Sequence, residues 1–193
     1  MKKINSKGFT LIELLAVITI LGILMLVAIP AVSRTIENSR RDTFADNTLN
    51  YIQTVRNAVL ADELKCTGYN KVSGTPDGTY YFTINTNGDS DTEDLMEKVA
   101  KSPWGGSEVS GYVAWKKDNG KTTYYAFLSD GANHGMFKEQ EEKDIKRAAV
   151  VANITKQEKC GDAGNTACTA ASASSVPTAK VGTTTPIKCT IDK

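Results

Sequence analysis

The chain has 193 residues, and its 23 Lys and Arg are almost balanced by 22 Asp and Glu, for a formal net charge of +1. This near neutrality argues against nucleic-acid binding through a strongly basic field. Once an apolar amino-terminal segment is set aside, the remaining residues suffice for one modest domain.

The amino-terminal segment combines a basic leader with a long apolar run. The leader contains Lys2, Lys3 and Lys7, and the run reaches Val32. An apolar stretch of about 20 residues can cross a bilayer as a helix. Lysines on its amino-terminal flank bias that end toward the cytoplasm. The sequence therefore predicts a single pass through the cytoplasmic membrane.

Glu13 is the one acidic residue inside this run. An ionisable side chain in a span costs about 2.5–3.5 kcal/mol at the bilayer centre and less near an end, so it is a candidate functional residue. No Lys or Arg lies between Glu13 and Arg34. A partner that neutralises the charge is therefore expected to come from elsewhere, and another chain is the favoured source.

The stretch Lys-Gly-Phe-Thr-Leu-Ile-Glu-Leu, followed by the apolar run, resembles the start of type IV pilins and pseudopilins with a short, class III-type leader. The resemblance covers roughly Lys7 to Arg34. It implies that a membrane peptidase cuts after Gly8, removing the prepilin leader peptide 1–8, and that the same enzyme N-methylates Phe9. It also implies that Glu13 attracts the terminal amine of a neighbouring subunit during assembly. Cleavage would leave 20 basic against 22 acidic side chains.

Two other interpretations of this segment stay open. An ordinary signal peptide would be cut at the small-x-small pattern Ala31-Val32-Ser33, but the apolar run is longer than the usual 7–15 residues and holds a carboxylate near its start. A plain membrane anchor explains the run but leaves Gly8, Phe9 and Glu13 unexplained.

Gly22 and Pro30 are the weak points of the predicted span, because proline inside a helix removes a hydrogen bond and kinks the chain. In the pilin family the segment between the corresponding residues can lose helical structure within the filament, so the resemblance implies helix flexibility here. The alternative is that glycine and proline are simply frequent in spanning helices.

Helical periodicity continues after Ser33. Apolar or small residues recur at spacings of three and four, and no proline or glycine interrupts the pattern before Cys66: Phe44, Thr48, Ile52, Val55 and Val59. The sequence predicts one helix from Phe9 to about Leu64, on the order of 80 Å long. Residues 9–33 form its apolar half, which would project into a membrane or fibre core, and residues 34–64 form an amphipathic half that packs on a domain.

Residues 65–193 are predicted to form that domain, the headgroup. Strands are expected over Thr79–Ile84, Val109–Lys117 and Thr122–Leu128, and Asn119-Gly120 predicts a hairpin between the last two. Short strands are also expected around Ala179–Val181 and Ile187–Ile191. Asp91–Lys101 is predicted to form a short helix, and Glu139–Val151 a charged surface helix.

The fold class is therefore α+β. The resemblance implies the same arrangement, in which an antiparallel sheet packs on the second half of the long helix.

The four cysteines allow three complete disulfide pairings, and all lie on the extracytoplasmic side of the predicted span, where disulfides persist. Their spacing does not suit zinc, which favours tight pairs. Free thiols are the other alternative. The favoured pairing is Cys160–Cys168 with Cys66–Cys189. Many pilins similarly close a carboxy-terminal region with a disulfide, although the positions do not transfer.

We expect no enzymatic activity and no cofactor. The single histidine, His134, gives little support to a Cys/His dyad. The nearby Ser129-Asp130-Gly131 is too close in sequence to build a triad with it without an unusual loop. An acidic cluster could bind calcium through oxygen ligands, but it fits no EF-hand loop, and an acidic helix start explains it equally well: Asp89, Asp91, Glu93 and Asp94.

The sequence thus favours a pilin: a membrane-inserted precursor that polymerises with itself or related pilins into a helical surface fibre for adhesion, motility or related functions. Its expected partners are the prepilin peptidase and methyltransferase, the pilus assembly platform and the membrane. No nucleic acid is expected for the headgroup. The alternatives are a pseudopilin of a secretion or DNA-uptake system and a membrane-anchored binding domain that does not polymerise.

Overall fold

The computed structural model describes residues 10–85, 109–131, 134–152, 171–172, 175, 177 and 185–192. The described elements are one helix, α1 (Leu11–Leu60), and eight strands: β1 (Leu64–Cys66), β2 (Gly78–Asn85), β3 (Val109–Asp118), β4 (Lys121–Asp130), β5 (His134–Met136), β6 (Gln140–Glu141), β7 (Val150–Ala152) and β8 (Ile187–Ile191). Short 3₁₀ turns lie at Val72–Gly74, Glu142–Asp144 and Arg147–Ala149. The chain divides into two units, Met1–Ser39 and Arg40–Lys193.

The predicted long helix is confirmed, but it ends at Leu60 rather than near Leu64. Asp62 adopts a left-handed backbone conformation with φ 56°. The Glu63 amide donates a hydrogen bond to the Ala58 carbonyl at 3.0 Å, and the Asp62 amide donates to the Val59 carbonyl at 3.4 Å. These bonds form a Schellman cap, which usually has glycine at the left-handed position. The helix therefore ends before Leu64, and Leu64 begins β1.

Asp62 is suited to this cap by a second contact. Its Oδ1 accepts a hydrogen bond from the Ser73 amide at 2.8 Å. Hydrogen bonding from the Ser73 side chain, together with the Ser73 amide, lowers the pKa of the Asp62 carboxyl. A short polar side chain with a local hydrogen bond is one of the few non-glycine solutions to a left-handed residue, so the helix end is fixed to the following loop.

The strands form one mixed, mainly antiparallel sheet in the order β1-β8-β2-β3-β4-β5-β7, with β6 paired to β4. The carboxy-terminal strand β8 lies between β1 and β2, antiparallel to the first and parallel to the second. The predicted strand over Ile187–Ile191 is thus confirmed, with the same bounds. The last described strand therefore lies inside the sheet, and the Asp192 amide that follows it donates to the Glu63 carbonyl just after α1, at 3.0 Å.

The predicted central hairpin is also confirmed. β3 and β4 pair along their full length, and Asp118 faces Lys121 next to the turn. Asn119 and Gly120 both have positive φ, 48° and 78°, as the common two-residue hairpin turn requires. Asp77 Oδ2 accepts a hydrogen bond from the Asn119 amide at 3.0 Å, which ties the turn to the loop before β2.

The core lies between the second half of α1 and one face of the sheet. Four residues of the predicted stripe are buried, and the fifth, Val59, is partly buried. The buried residues of the helix are Phe44, Ala45, Thr48, Tyr51, Ile52, Val55 and Ala58. The sheet contributes large buried side chains, among them Tyr80, Phe82, Trp115 and Leu128. The Tyr80 and Trp115 rings stack with centroids 5.9 Å apart. Burial of this apolar face is the main term that stabilises the helix on the sheet.

The predicted surface helix over Glu139–Val151 is wrong. The segment contains β6, two 3₁₀ turns and β7. β6 pairs with β4 and β7 pairs with β5, so neighbouring strands take backbone hydrogen bonds that a helix would have kept within itself. The helical spacing of its apolar residues was therefore misleading, because sheet pairing outweighs local propensity.

Part of the Ala/Ser/Thr-rich tail rests on the sheet at Ala171, which is 2% exposed. The Ala171 carbonyl accepts hydrogen bonds from Ser110 Oγ at 3.0 Å and Ser129 Oγ at 2.7 Å. Beside them, Gly111 has φ +138°, and a Cβ there would lie 2.0 Å from the Phe127 carbonyl oxygen. Glycine is required at this position. The predicted helix over Asp91–Lys101 and strand around Ala179–Val181 lie outside the described residues.

Candidate functional site

The start of α1 is a capping box. The Thr10 amide and the Thr10 hydroxyl both donate to Glu13 Oε2, at 2.8 and 2.9 Å, and the Glu13 amide donates to Thr10 Oγ1 at 3.3 Å. In this motif a Ser or Thr at the N-cap and a Glu or Gln three positions later satisfy otherwise unpaired amides reciprocally. Glu13 therefore has a local role in starting the helix.

Thr10 hydrogen-bonds the carboxylate without neutralising its charge. Among the described residues, Glu13 Oε1 accepts no hydrogen bond, so one oxygen stays available for a cationic partner. The expectation that the charge of Glu13 is neutralised by another chain stays a prediction, because Thr10 is an uncharged partner. The signal was visible as Thr-x-x-Glu before an apolar run, and sequence reasoning missed it because it considered only charged partners.

Beyond the capped turn, α1 exposes a continuous apolar surface. Its side chains are about half to four-fifths exposed from Leu11 to Ile29, including Leu11 at 84% and Leu26 at 77%. The helix is long and apolar enough to cross a membrane, and none of its most apolar window is buried within the chain. An exposed apolar surface of this extent marks contact with lipid or with other protein.

Gly22 and Pro30 lie inside an uninterrupted helix. A Cβ at Gly22 would meet no atom within 4 Å, so packing within the chain does not require glycine there. Pro30 has no amide hydrogen to donate to the Leu26 carbonyl, which leaves that carbonyl without its helical bond. The flexibility implied for these positions stays a prediction, because the structure of the single chain has a helix across both.

Cys66 and Cys189 face each other in the β1–β8 pair and form a disulfide. Both are buried, at 2% and 1% exposure. This is one half of the favoured pairing. It links the strand after α1 to the carboxy-terminal strand across 123 positions of sequence. Cys160 and Cys168 lie outside the described residues, as do Gly8 and Phe9.

Charged side chains attach the 140–152 segment to the helix. Arg56 forms an ion pair with Glu142, and its guanidinium lies 4.5 Å from the Tyr124 ring centroid. Arg147 Nε donates to Asp42 Oδ1 at 2.7 Å, and this bond lowers the pKa of the Asp42 carboxyl. Sequence reasoning missed both pairs, because their members lie 86 and 105 positions apart and no local pattern connects them.

Ser129, Asp130 and His134 are buried beside the turn between β4 and β5. Asp130 and His134 face each other across the two strands, and the Ser129 hydroxyl donates to the Ala171 carbonyl. The serine therefore supports the tail. The described part of the chain contains no group of three or more His, Cys, Asp or Glu able to hold a metal ion. The acidic cluster from Asp89 to Asp94 lies outside that part.

The amino-terminal residues match a known protein-family motif. Residues 3–29 match the prokaryotic N-terminal methylation motif. The chain therefore carries a type IV pilin- or pseudopilin-like leader of the class III kind. With its long amino-terminal helix packed on a mainly antiparallel sheet, it is a pilin-like or pseudopilin-like α+β protein. Searches of curated proteins and of solved structures found no match to the chain.

Proposed function

We propose that this chain is a structural subunit of a type IV pilus. The observation that carries the proposal is the methylation motif over residues 3–29, joined to a helix whose apolar side chains are exposed from its capped first turn onward. The precursor inserts in the cytoplasmic membrane, is cut after Gly8 and methylated at Phe9, and then polymerises into a helical fibre on the cell surface.

Assembly exchanges one apolar environment for another. In the membrane the exposed side chains of residues 11–29 contact lipid, and in the fibre they contact the helices of neighbouring subunits. Head-to-tail contacts that do not close produce open helical filaments. The prepilin peptidase and methyltransferase and the pilus assembly platform are the partners this route requires. The headgroups then coat the fibre and supply adhesion, motility or related functions.

Glu13 sets the axial register in this proposal. Cleavage after Gly8 creates one new positive charge, the methylated amine of Phe9, and Glu13 retains a carboxylate oxygen that the capping box does not use. In the low dielectric of a fibre core, attraction between opposite charges is much stronger than in water. Burying either charge alone is costly, so the pair of Glu13 and a neighbour's amine favours one register over others.

A pseudopilin of a secretion or DNA-uptake system is the second candidate, because the same motif starts both kinds of subunit. The long Ser/Thr-rich tail and the size of the headgroup favour the surface pilus. Electron microscopy of sheared surface material from cells that express an epitope-tagged chain separates the possibilities. Long labelled fibres support the pilus, short or absent fibres support the pseudopilin, and uncleaved membrane protein supports a plain anchor.

Variants at the capped turn test the charge separately from the cap. Glu13→Gln keeps a side chain that a capping box accepts and removes only the charge, whereas Thr10→Ala weakens the cap by about 1 kcal/mol and keeps the carboxylate. We expect Glu13→Gln and Glu13→Val to abolish or strongly reduce fibres while membrane protein stays at normal abundance. Thr10→Ala should still assemble. Normal fibres from Glu13→Gln would show that the charge is not the assembly contact.

A further inference from the structure

An open cavity of about 420 Å³ lies where β1 and β8 meet the loop that follows β1. Its wall consists of eight residues: Lys65, Cys66, Thr67, Gly68, Tyr69, Asn70, Lys188 and Thr190. Two of them are lysines, four have neutral polar side chains, and none is a carboxylate. The volume lies in the range of small-molecule sites, roughly 300–1,000 Å³. The charge of the lining is therefore positive, which suits a negatively charged ligand.

The two lysines share one face of the sheet. Lys65 pairs with Thr190 across the β1–β8 ladder, and Lys188 lies two residues before Thr190 on the same strand. Side chains two apart on a strand point to the same face, and diagonal neighbours on paired strands lie about 7–8 Å apart. An anionic group placed between the two ammonium groups can therefore contact both.

Neither lysine is neutralised by the headgroup. Both are exposed, and among the described residues no carboxylate lies within ion-pair distance of Lys65 or Lys188. The Asn70, Tyr69 and Thr190 side chains likewise make no hydrogen bond to another described residue. The cavity thus presents two cations and three polar groups whose hydrogen-bonding capacity the described residues leave unused.

The floor of the cavity is rigid. Cys66 and Cys189 follow Lys65 and Lys188 directly in sequence and are joined by the disulfide. The loop is held over β8 because the Thr67 amide and hydroxyl both donate to the Lys188 carbonyl, at 3.0 and 3.2 Å. Cys66 and Tyr69 also exchange two backbone hydrogen bonds, at 3.1 and 2.8 Å. Groups held in place before binding lose little entropy when a ligand arrives.

We propose that this cavity binds an anionic saccharide, with a carboxylate or phosphate of the sugar between the Lys65 and Lys188 ammonium groups. Sugar hydroxyls take the hydrogen bonds offered by Asn70 and Thr190, and the half-buried Tyr69 gives the ring an apolar contact. A nucleic-acid strand fits less well, because such sites track several successive phosphates along a basic groove lined with stacking aromatics. The cavity has two cations and one aromatic ring. The site belongs to the headgroup and does not depend on fibre formation.

Calorimetry on the full chain in micelles of an uncharged detergent tests the proposal. The probes are trigalacturonate, a phosphorylated glucose trisaccharide, neutral maltotriose and a short single-stranded DNA. We expect saturable binding of one or both anionic saccharides and no binding of maltotriose. The relative affinities of the two anionic saccharides show whether the site prefers a carboxylate or a phosphate. Affinity should fall between about 25 and about 500 mM NaCl, because exposed charges are screened.

Matched double variants locate the site. Lys65→Ala with Lys188→Ala should weaken binding about tenfold, whereas Lys65→Arg with Lys188→Arg retains it. The control is Lys121→Ala with Lys146→Ala, which removes the same charge from two exposed lysines outside the cavity. Unchanged tryptophan fluorescence, to which the buried Trp115 contributes, checks that each variant is folded. Equal affinity in the Lys65/Lys188 variant, an equal loss in the control, or binding of DNA without either saccharide would overturn the proposal.

Discussion

Tyr51 offers a sharp test of how the helix packs on the sheet. Its side chain is 1% exposed in the core face of α1, and its hydroxyl has no hydrogen-bond partner among the described residues. A buried hydroxyl without a partner costs about 1–3 kcal/mol. Tyr51→Phe removes the hydroxyl and keeps the ring, so we expect the free energy of unfolding to rise by about 1 kcal/mol or more.

The same substitution should change the alkaline limit of stability. Burial raises the pKa of Tyr51 to about 12 from the usual 10.0. Above pH 10 the unfolded chain loses this proton while the folded chain keeps it. The free energy of unfolding is therefore highest below pH 10, as far as Tyr51 is concerned, and falls as the pH rises toward 12. A shift of this size corresponds to about 2–3 kcal/mol. Tyr51→Phe should flatten this part of the pH profile.

Urea unfolding of the full chain in detergent micelles measures both effects. It is followed by tryptophan fluorescence, to which the buried Trp115 contributes, at neutral pH and at several values above pH 10. Tyr80→Phe is the matched control, because Tyr80 is also buried but its hydroxyl donates to the Pro76 carbonyl at 2.8 Å. That variant should lose about 0.5–1.5 kcal/mol. A loss of stability in Tyr51→Phe similar to that in Tyr80→Phe would refute the reasoning.

Two further predictions concern the tail and the disulfide. Gly111→Ala should destabilise the headgroup by about 3 kcal/mol or more, because its Cβ would meet the Phe127 carbonyl. The control Gly120→Ala, at a glycine with positive φ but open space around it, should cost about 1–2 kcal/mol. Urea unfolding measures both variants, and equal losses would contradict the close approach of Gly111 to Phe127. Replacing Cys66 and Cys189 together by Ala should lower the free energy of unfolding by about 2–4 kcal/mol, measured in the same way under non-reducing conditions; unchanged stability would mean that the bridge does not restrain the headgroup.

Features that depend on residues close together in the chain were predicted correctly from the sequence. The 3.6-residue spacing from Phe44 to Val59 predicted the buried face of α1, and Asn119-Gly120 predicted the hairpin turn, because each feature depends on residues close together in the chain. The helix end was misplaced by four residues, since Asp62 takes a left-handed position normally associated with glycine.

The errors and omissions arise from contacts between distant residues. The segment that begins near Gln140 carries a helical pattern, but β4, β5 and the ion pairs to Asp42 and Arg56 fix it as strands and turns. Likewise, the sequence showed that Ile187–Ile191 favours a strand but not that it enters the sheet between β1 and β2. The position of a strand in the sheet depends on strands that are distant in sequence, so a short stretch of sequence does not determine it.

The proposed maturation defines the amino terminus of the assembled subunit. Mass spectrometry of the mature protein should find a first peptide that begins with N-methylated Phe9, and Gly8→Val should leave the precursor, starting at its leader, in the membrane. That result is expected because valine would replace the small residue at the proposed cut. A mature protein that begins at Arg34, as after cleavage at an ordinary signal-peptide site, would contradict the account, because it would lack the apolar half of α1 on which the proposed assembly depends.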